Sequence, residues 1–190
     1  MIFRNIFQRI KISACIQRIT IFTLILIWFF SGWPQIFNFP PGIPVAQATD
    51  TTPTIAGTGA NDATVGTQAW GTTEEITVVG GGDDGVYSDT GVLAKSEVSN
   101  YLKATNFGFT IPDGSTILGI KVEIDRKEGN TQAAGGIKDS EVKLVDEAGT
   151  ILATNKADTT NFWPTTEAVA TYGGPADTWG EAPGFWTTTK

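Results

Sequence analysis

The chain has 190 residues, of which 13 are lysine or arginine, 20 are aspartate or glutamate and none is histidine. Without histidine the chain lacks the commonest general base, so hydrolases of the Ser-His or Cys-His kind are excluded. The single cysteine, Cys15, lies near the N-terminus, so residues 49–190 hold no disulfide and no Cys/His zinc site. Residues 49–190 carry nine basic and 20 acidic residues, a net charge of −11 that disfavours nucleic-acid binding.

Residues 1–48 have the three parts of a secretory signal. A start with four basic residues and no carboxylate precedes the apolar run of residues 19–30, and Ala46 and Ala48 offer small side chains to a signal peptidase. We therefore predict a helical signal peptide that is cleaved after Ala48. The alternative is an uncleaved helical anchor, although the run is short for a bilayer span of about 20 residues. Both alternatives predict a secreted or cell-surface protein that contacts the membrane only through an uncleaved leader.

Apolar and polar residues alternate in two neighbouring stretches of the body. Ile120, Val122 and Ile124 fall on one face of a strand, with charged residues between them, and residues 107–111 repeat the pattern upstream. Between the two, residues 112–115 (Pro-Asp-Gly-Ser) have the composition of a tight turn. The pattern predicts two consecutive strands joined by this turn.

A second hairpin is predicted from residues 142–146 and 150–153, with Gly149 at the left-handed position of the loop. Residues 49–190 include 26 threonines and 20 glycines and sustain no helical period, a composition typical of short strands and turns. We expect an all-β fold, an antiparallel β-sandwich of jelly-roll or Greek-key type, over residues 67–190. Residues 49–66 are interpreted as a linker or a loosely held first strand.

Residues 49–190 contain a short sequence repeat at an offset of 93 residues, which we call the internal echo. Trp70-Gly-Thr-Thr-Glu matches Trp163-Pro-Thr-Thr-Glu, and a predicted strand follows in each copy, at residues 76–79 and 169–172. The match indicates two similar halves, or it is a coincidence in a chain rich in threonine and glycine. The second copy stops before an equivalent of residues 102–109. We therefore expect the sandwich to be incomplete at its C-terminus, or to need a partner strand that covers an open sheet edge.

Residues 102–124 (LKATNFGFTIPDGSTILGIKVEI), followed by Thr171-Tyr-Gly and Asp177-Thr-Trp-Gly, resemble an uncharacterised family of exported β-sandwich domains. Such domains occur in large bacterial surface proteins, in metagenomic sequences and in phage tail-like proteins. The leader, with its proline-rich end before Ala-Gln-Ala, resembles those of exported proteins from candidate-phylum bacteria. The resemblance covers roughly residues 60–190, and it implies a further Phe-Gly strand and a final apolar strand beyond them. It implies no catalytic residue.

Aromatic residues near the C-terminus are the candidates for ligand binding. Exposed rings on a sandwich face can stack on sugars, which makes glycan stacking a hypothesis for Trp163, Tyr172, Trp179 and Trp186. The alternative is that the same rings fill the core. Rings that are exposed and coplanar would favour glycan binding, and buried rings would favour a structural role.

A glycine-rich run, residues 80–85, contains two carboxylates, and a third follows it closely in sequence. Asp83, Asp84 and Asp89 could supply oxygen ligands to calcium, although the EF-hand spacing is absent and such runs are usually turns. The same run lacks the Lys-Ser/Thr of a phosphate-binding loop. Calcium is thus the one cofactor for which the sequence suggests ligands.

Paired carboxylates could serve a glycosidase, and the densest set is Glu123, Asp125, Glu128 and Glu141. A solvated charged face beside Lys121 and Arg126 explains them without chemistry. We therefore expect a non-catalytic module with a structural or adhesive role at the cell surface, whose partner is a surface protein or a glycan. The first alternative is a carbohydrate-binding module, and the second is a carboxylate-based glycan hydrolase or lyase.

Overall fold

The computed structural model describes residues 6–17, 48–51, 53–77, 87–129 and 135–187. Within them the chain is all-β, as predicted, with a short 3-10 helix, Thr73–Thr77, as its helical element. No helix in these ranges is long and apolar enough to cross a bilayer. The strands are β1 (Ile6–Gln17), β2 (Ala48–Asp50), β3 (Thr54–Ile55), β4 (Thr58–Asp62), β5 (Tyr101–Thr105), β6 (Thr116–Glu128) and β7 (Ala168–Gly173).

The larger sheet is built around β6. Its order is β2-β1-β6-β7, with β3 also paired to β1, and every pairing is antiparallel. Alternation explains β6, because Ile120, Val122 and Ile124 are buried on one face while Lys121 and Glu123 between them are partly exposed. The strand predicted from this pattern is confirmed, and it is longer at both ends than the pattern indicated.

The smaller sheet pairs β4 with β5 in antiparallel register. The strand predicted over residues 107–111 is wrong, because Asn106 and Gly108 have φ angles of 58° and 67° that end the extended chain after β5. The turn that follows is confirmed. Ser115 N donates a 3.1 Å hydrogen bond to the carbonyl of Pro112, and Gly114 has a φ of 71°.

The second predicted hairpin is confirmed by its cross-strand hydrogen bonds. Asp146 N donates to Thr150 O at 3.0 Å, and Leu152 N donates to Leu144 O at 2.9 Å. Gly149 has a φ of 86°, the left-handed conformation that the loop requires. This hairpin brings Leu144 into the main hydrophobic core beside β6.

Two clusters of buried apolar side chains form the core. The larger one comprises Ile117, Ile120, Val122, Ile124, Leu144, Tyr172, Trp179 and Trp186, and the smaller one comprises Trp70, Leu93, Ile137 and Trp163. The two tryptophans of the internal echo therefore pack into one cluster. Of the two strands predicted in the echo, residues 169–172 lie in β7, whereas Ile76 and Thr77 lie in the 3-10 helix and residues 78–79 lie outside the described residues.

The predicted leader and linker contribute strands to the described structure. Residues 6–17 of the leader form β1, while the apolar run of residues 19–30, predicted to be helical, lies outside the described residues. The predicted linker, residues 49–66, contains β3 and β4. After β7 the described chain continues to residue 187 without a further strand, and its aromatic side chains are nevertheless buried.

Candidate functional site

The four predicted glycan-stacking residues are buried. Trp163, Tyr172, Trp179 and Trp186 all belong to the core, and Trp179, with 1% of its surface exposed, is the largest fully buried side chain of the described residues. Stacking on a sugar needs an open ring face. The structure therefore argues against the stacking assignment and places these rings in core packing.

Trp179 is held in its place by backbone contacts on both sides. Its indole Nε1 donates a 2.8 Å hydrogen bond to Ile120 O, and its backbone N donates at 2.8 Å to the Asp177 carboxylate. Its φ is 58°, a left-handed conformation that is costly for a residue with a side chain. Trp186 Nε1 is likewise satisfied, by Thr178 O at 2.9 Å. These contacts anchor the segment after β7 to β6.

The inner face of β6 carries two charged residues, Arg126 and Glu128, after its apolar ones. Because side chains alternate along a strand, Arg126 and Glu128 share the face of Ile120, Val122 and Ile124. Arg126 is 7% exposed. The sequence-based placement of Arg126 on the solvated face is therefore wrong, and the error follows from its position two residues beyond Ile124.

Arg126 is paired with Asp139 in the interior. Its Nη1 donates to Asp139 Oδ1 and, at 2.6 Å, to the hydroxyl of Tyr172. The guanidinium carbon lies 5.0 Å from the ring centroid of Trp163 and 5.8 Å from that of Tyr172. A buried charge is tolerable only with such partners, so this pairing is what allows Arg126 inside.

Asp139 is the centre of the buried network. Its carboxylate accepts hydrogen bonds from Trp163 Nε1 at 2.6 Å, Tyr172 OH at 2.7 Å and Asp158 N at 2.9 Å, in addition to Arg126. Burial, followed by the hydrogen bond to Asp139, raises the pKa of Tyr172, so its hydroxyl remains protonated at neutral pH. We call Arg126, Asp139, Trp163 and Tyr172 the Arg126 network.

The carboxylates considered for glycosidase chemistry do not gather at one place. Glu128 points inward and accepts a 3.2 Å hydrogen bond from Ile137 N, whereas Glu123 pairs with Lys121 at 3.2 Å on the outer side. Glu141, on another segment, accepts from Tyr101 OH and pairs with Lys143 at 2.8 Å. Glu123 and Asp125 share the outer face of β6, whereas Glu128 lies on its inner face and Glu141 on another segment, so the four carboxylates do not converge on one place.

The predicted calcium ligands are only partly described. Asp83 and Asp84 lie outside the described residues. The Asp89 carboxylate accepts a 2.9 Å hydrogen bond from Gly91 N, an arrangement typical of a turn. The part of the chain that the structure describes contains no group of three His, Cys, Asp or Glu residues that could hold a metal ion.

A cleft of about 1210 Å³ lies beside β5 and β6. Leu102 of β5, Val122 of β6 and Leu144 of the hairpin are among its apolar lining residues, and Tyr101 and Lys143 are among its polar ones. Its walls thus include β5 and the inner face of β6. A cleft with mainly apolar walls suits an apolar or aromatic group better than a charged one.

Sequence reasoning missed Asp139, the residue with the most buried hydrogen bonds in the network. Arg126 could have been found by continuing the alternation of β6 by one step. Asp139 could not, because it lies in an irregular segment and meets Arg126 only through the tertiary fold.

Comparison of the chain with protein-family models, curated proteins and solved structures found no match. The function of the chain must therefore be inferred from its own residues. The Arg126 network, the buried aromatic rings and the pairing of the strands are the features that carry chemical information.

Proposed function

We propose that the chain is an exported, non-catalytic β-sandwich module with a structural or adhesive role at the cell surface. The sandwich is supported by contacts between the two sheets, because Ala104 of β5 packs against the cluster that contains Val122 and Ile124 of β6. Trp179 and Trp186 belong to the same buried cluster, as expected of rings packed inside a sandwich. Resemblance to exported β-sandwich domains of bacterial surface proteins agrees with this proposal.

The observation that carries the non-catalytic role is the pairing of the charges of Arg126 and Asp139 inside the Arg126 network. Arg126 and Asp139 are the most densely bonded ionisable residues inside the described chain, and their charges neutralise each other. Both oxygens of Asp139 already accept hydrogen bonds. Asp139 is among the residues that line the cleft, but its charge is paired with Arg126 and both its oxygens are bonded, which suits folding better than catalysis.

Export is supported by the leader and by the charge of the body. The basic start, the apolar run and the small residues at Ala46 and Ala48 are the parts that a signal peptidase recognises. The net charge of −11 over residues 49–190 favours solubility outside the cell. In an adhesive role, loops and sheet edges would make the contacts with partners.

The test combines localisation with activity of the full chain. Expressed with an epitope tag, the protein should be cut by protease added to intact cells, and purified protein should release no reducing sugar from a panel of polysaccharides. The decisive variant is Asp139→Asn. The proposal expects lower thermal stability and no activity in either protein, whereas glycan cleavage that disappears in a folded Asp139→Asn protein would overturn it.

A carbohydrate-binding role is the second candidate, and one exposed ring favours it. Phe162 is 55% exposed, and the Nζ of Lys138 lies 4.4 Å from the centroid of its ring. A glycan array probed with the full chain tests this role. A signal that is lost in Phe162→Ala and kept in Val169→Ala, a change at another exposed apolar residue, would favour glycan binding over the structural role.

A further inference from the structure

Strand β1 pairs with β6 over its whole length, and the chemistry of the two strands matches from Arg9 onward, whereas Ile6 and Phe7 lie opposite Glu128 and Lys127. Residues Ile6 to Gln17 pair with Glu128 to Thr116, with one irregularity between Cys15 and Ile16. The register sets apolar residues opposite apolar residues: Ile10 opposite Ile124, Ile12 opposite Val122 and Ala14 opposite Ile120. The apolar positions of β1 thus fall in register with the inner face of β6.

The intervening positions are matched in charge. The register places Arg9 opposite Asp125 and Lys11 opposite Glu123. Directly opposite residues in an antiparallel pair share a face of the sheet, where opposite charges are favourable and like charges unfavourable. Two independent patterns, apolar and electrostatic, therefore select the same register. A register shifted by one residue would oppose apolar to charged positions over residues 9–12 of β1.

We infer that the edge of β6 is a binding site for an extended segment in which apolar and basic residues alternate, and that residues 6–17 of the same chain occupy this site. Backbone groups along an open strand edge supply the affinity for such a segment. The inner apolar face and the acidic residues Glu123 and Asp125 supply its specificity. The inference deepens the proposed adhesive function and rests on it. In a chain that has lost residues 1–48, the edge of β6 would be available to a partner.

Strand β1 lies between β6 and two short strands of the same sheet. Its other side pairs with β2, where Cys15 lies opposite Asp50, and with β3, where Lys11 lies opposite Ile55. The segment thus connects the body strand β6 to the two short strands that follow the leader. A segment that binds along β6 in the place of β1 would also present its outer edge for pairing with β2 and β3.

The experiment uses the full chain and a fluorescent peptide with the sequence of residues 6–17. In Arg9→Glu/Lys11→Glu the chain's own segment is repelled by Glu123 and Asp125, so the acidic edge opens and should bind the peptide about tenfold more tightly than the unaltered chain does. The control Arg4→Glu/Arg18→Glu makes the same charge change outside β1. Its affinity for the peptide should equal that of the unaltered chain.

The reverse arm tests specificity. Glu123→Lys/Asp125→Lys should open a basic edge that prefers a peptide carrying glutamates at positions 9 and 11 by about tenfold. The chain with all four changes restores opposite charges and should bind neither peptide. Near-ultraviolet circular dichroism of the buried tryptophans verifies the fold of each variant.

Two results would overturn the inference. One is equal anisotropy titrations of both peptides on all folded variants. The other is hydrogen exchange in which the amides of residues 6–17 of the unaltered chain exchange as fast as those of the free peptide. Both measurements use purified protein, so a failure of export or adhesion leaves them unaffected and is distinguished from a failure at this site.

Discussion

Trp179 and Ile120 are joined by a hydrogen bond from the indole Nε1 to a backbone carbonyl, 2.8 Å long and buried. The bond links the segment after β7 to the central strand β6 across 59 residues of sequence. The same carbonyl also accepts a 3.1 Å hydrogen bond from Gly174 N. The segment after β7 therefore makes two hydrogen bonds to Ile120 O. Trp179 therefore contributes both packing and a specific polar contact to the core.

Replacing Trp179 by phenylalanine should lower the free energy of unfolding by about 1–3 kcal/mol, because the smaller ring fills only part of the space of the indole and the buried hydrogen bond is lost. Alanine at this position should cost about 3–5 kcal/mol through the cavity it leaves. Urea denaturation followed by tryptophan fluorescence measures both values. Val169→Ala, at a side chain that is 58% exposed, is the control and should change stability little. Equal stability of Trp179→Phe and the unaltered chain would show that the hydrogen bond contributes nothing.

The ion pair of Arg126 and Asp139 predicts strongly non-additive mutations. Arg126→Met leaves the carboxylate buried without its cation, and Asp139→Leu leaves the guanidinium without its anion, so each single change should cost about 3–5 kcal/mol. The double variant Arg126→Met/Asp139→Leu removes both charges and should recover the part of the loss that an unpaired charge causes, while Trp163 Nε1 and Tyr172 OH still lack their acceptor. A double-mutant cycle by urea denaturation measures the coupling. Single costs that simply add in the double variant would contradict the pairing.

The strand β6 shows what sequence alone can predict. Alternation over Ile120, Val122 and Ile124 is a local property, and it identified both the strand and its buried face. The turn at Gly114 and the hairpin loop at Gly149 were found for the same reason, because their φ angles depend on residues within the turn.

Other features depend on distant residues and could not be read from local patterns. Residues 107–111 alternate as a strand would, yet the left-handed conformation of Asn106 ends the pairing before them. Asp139 has no local signal, since its partners Arg126, Trp163 and Tyr172 approach it from three other segments. Burial of the tryptophans likewise depends on contacts with distant residues, and the sequence left open whether the rings are buried or exposed.

Acid should weaken the contact between Asp177 and Lys156. The 2.8 Å hydrogen bond from Lys156, with that from Trp179 N, holds the pKa of Asp177 below its ordinary value. A folded-state pKa below the unfolded one contributes stability above the unfolded pKa, and this contribution is lost as the pH falls through the folded pKa. The melting temperature should therefore be lower in Asp177→Asn than in the unaltered chain at pH 7, and the difference should shrink by pH 3.

The matched control for this prediction is Asp113→Asn, which removes the same charge from an exposed turn residue. Its melting temperature should follow that of the unaltered chain at both values of pH. A difference between Asp177→Asn and the unaltered chain that stays constant from pH 7 to pH 3 would contradict the predicted role of the carboxylate.

Gly119 is required because the turn after β7 crosses β6 directly over it. A Cβ atom at this position would lie 2.6 Å from both Asp177 N and Pro175 C, which are backbone atoms that cannot rotate away. Gly119→Ala should therefore displace the turn, with a loss of about 1–3 kcal/mol from overpacking. Thermal denaturation measures the loss. Gly174→Ala is the control within the same turn, since nothing lies within 4 Å of the Cβ it would add. If both alanine variants melt at the temperature of the unaltered chain, the turn does not pack on β6 in the way described, and the anchoring of Trp179 to Ile120 is placed in doubt as well.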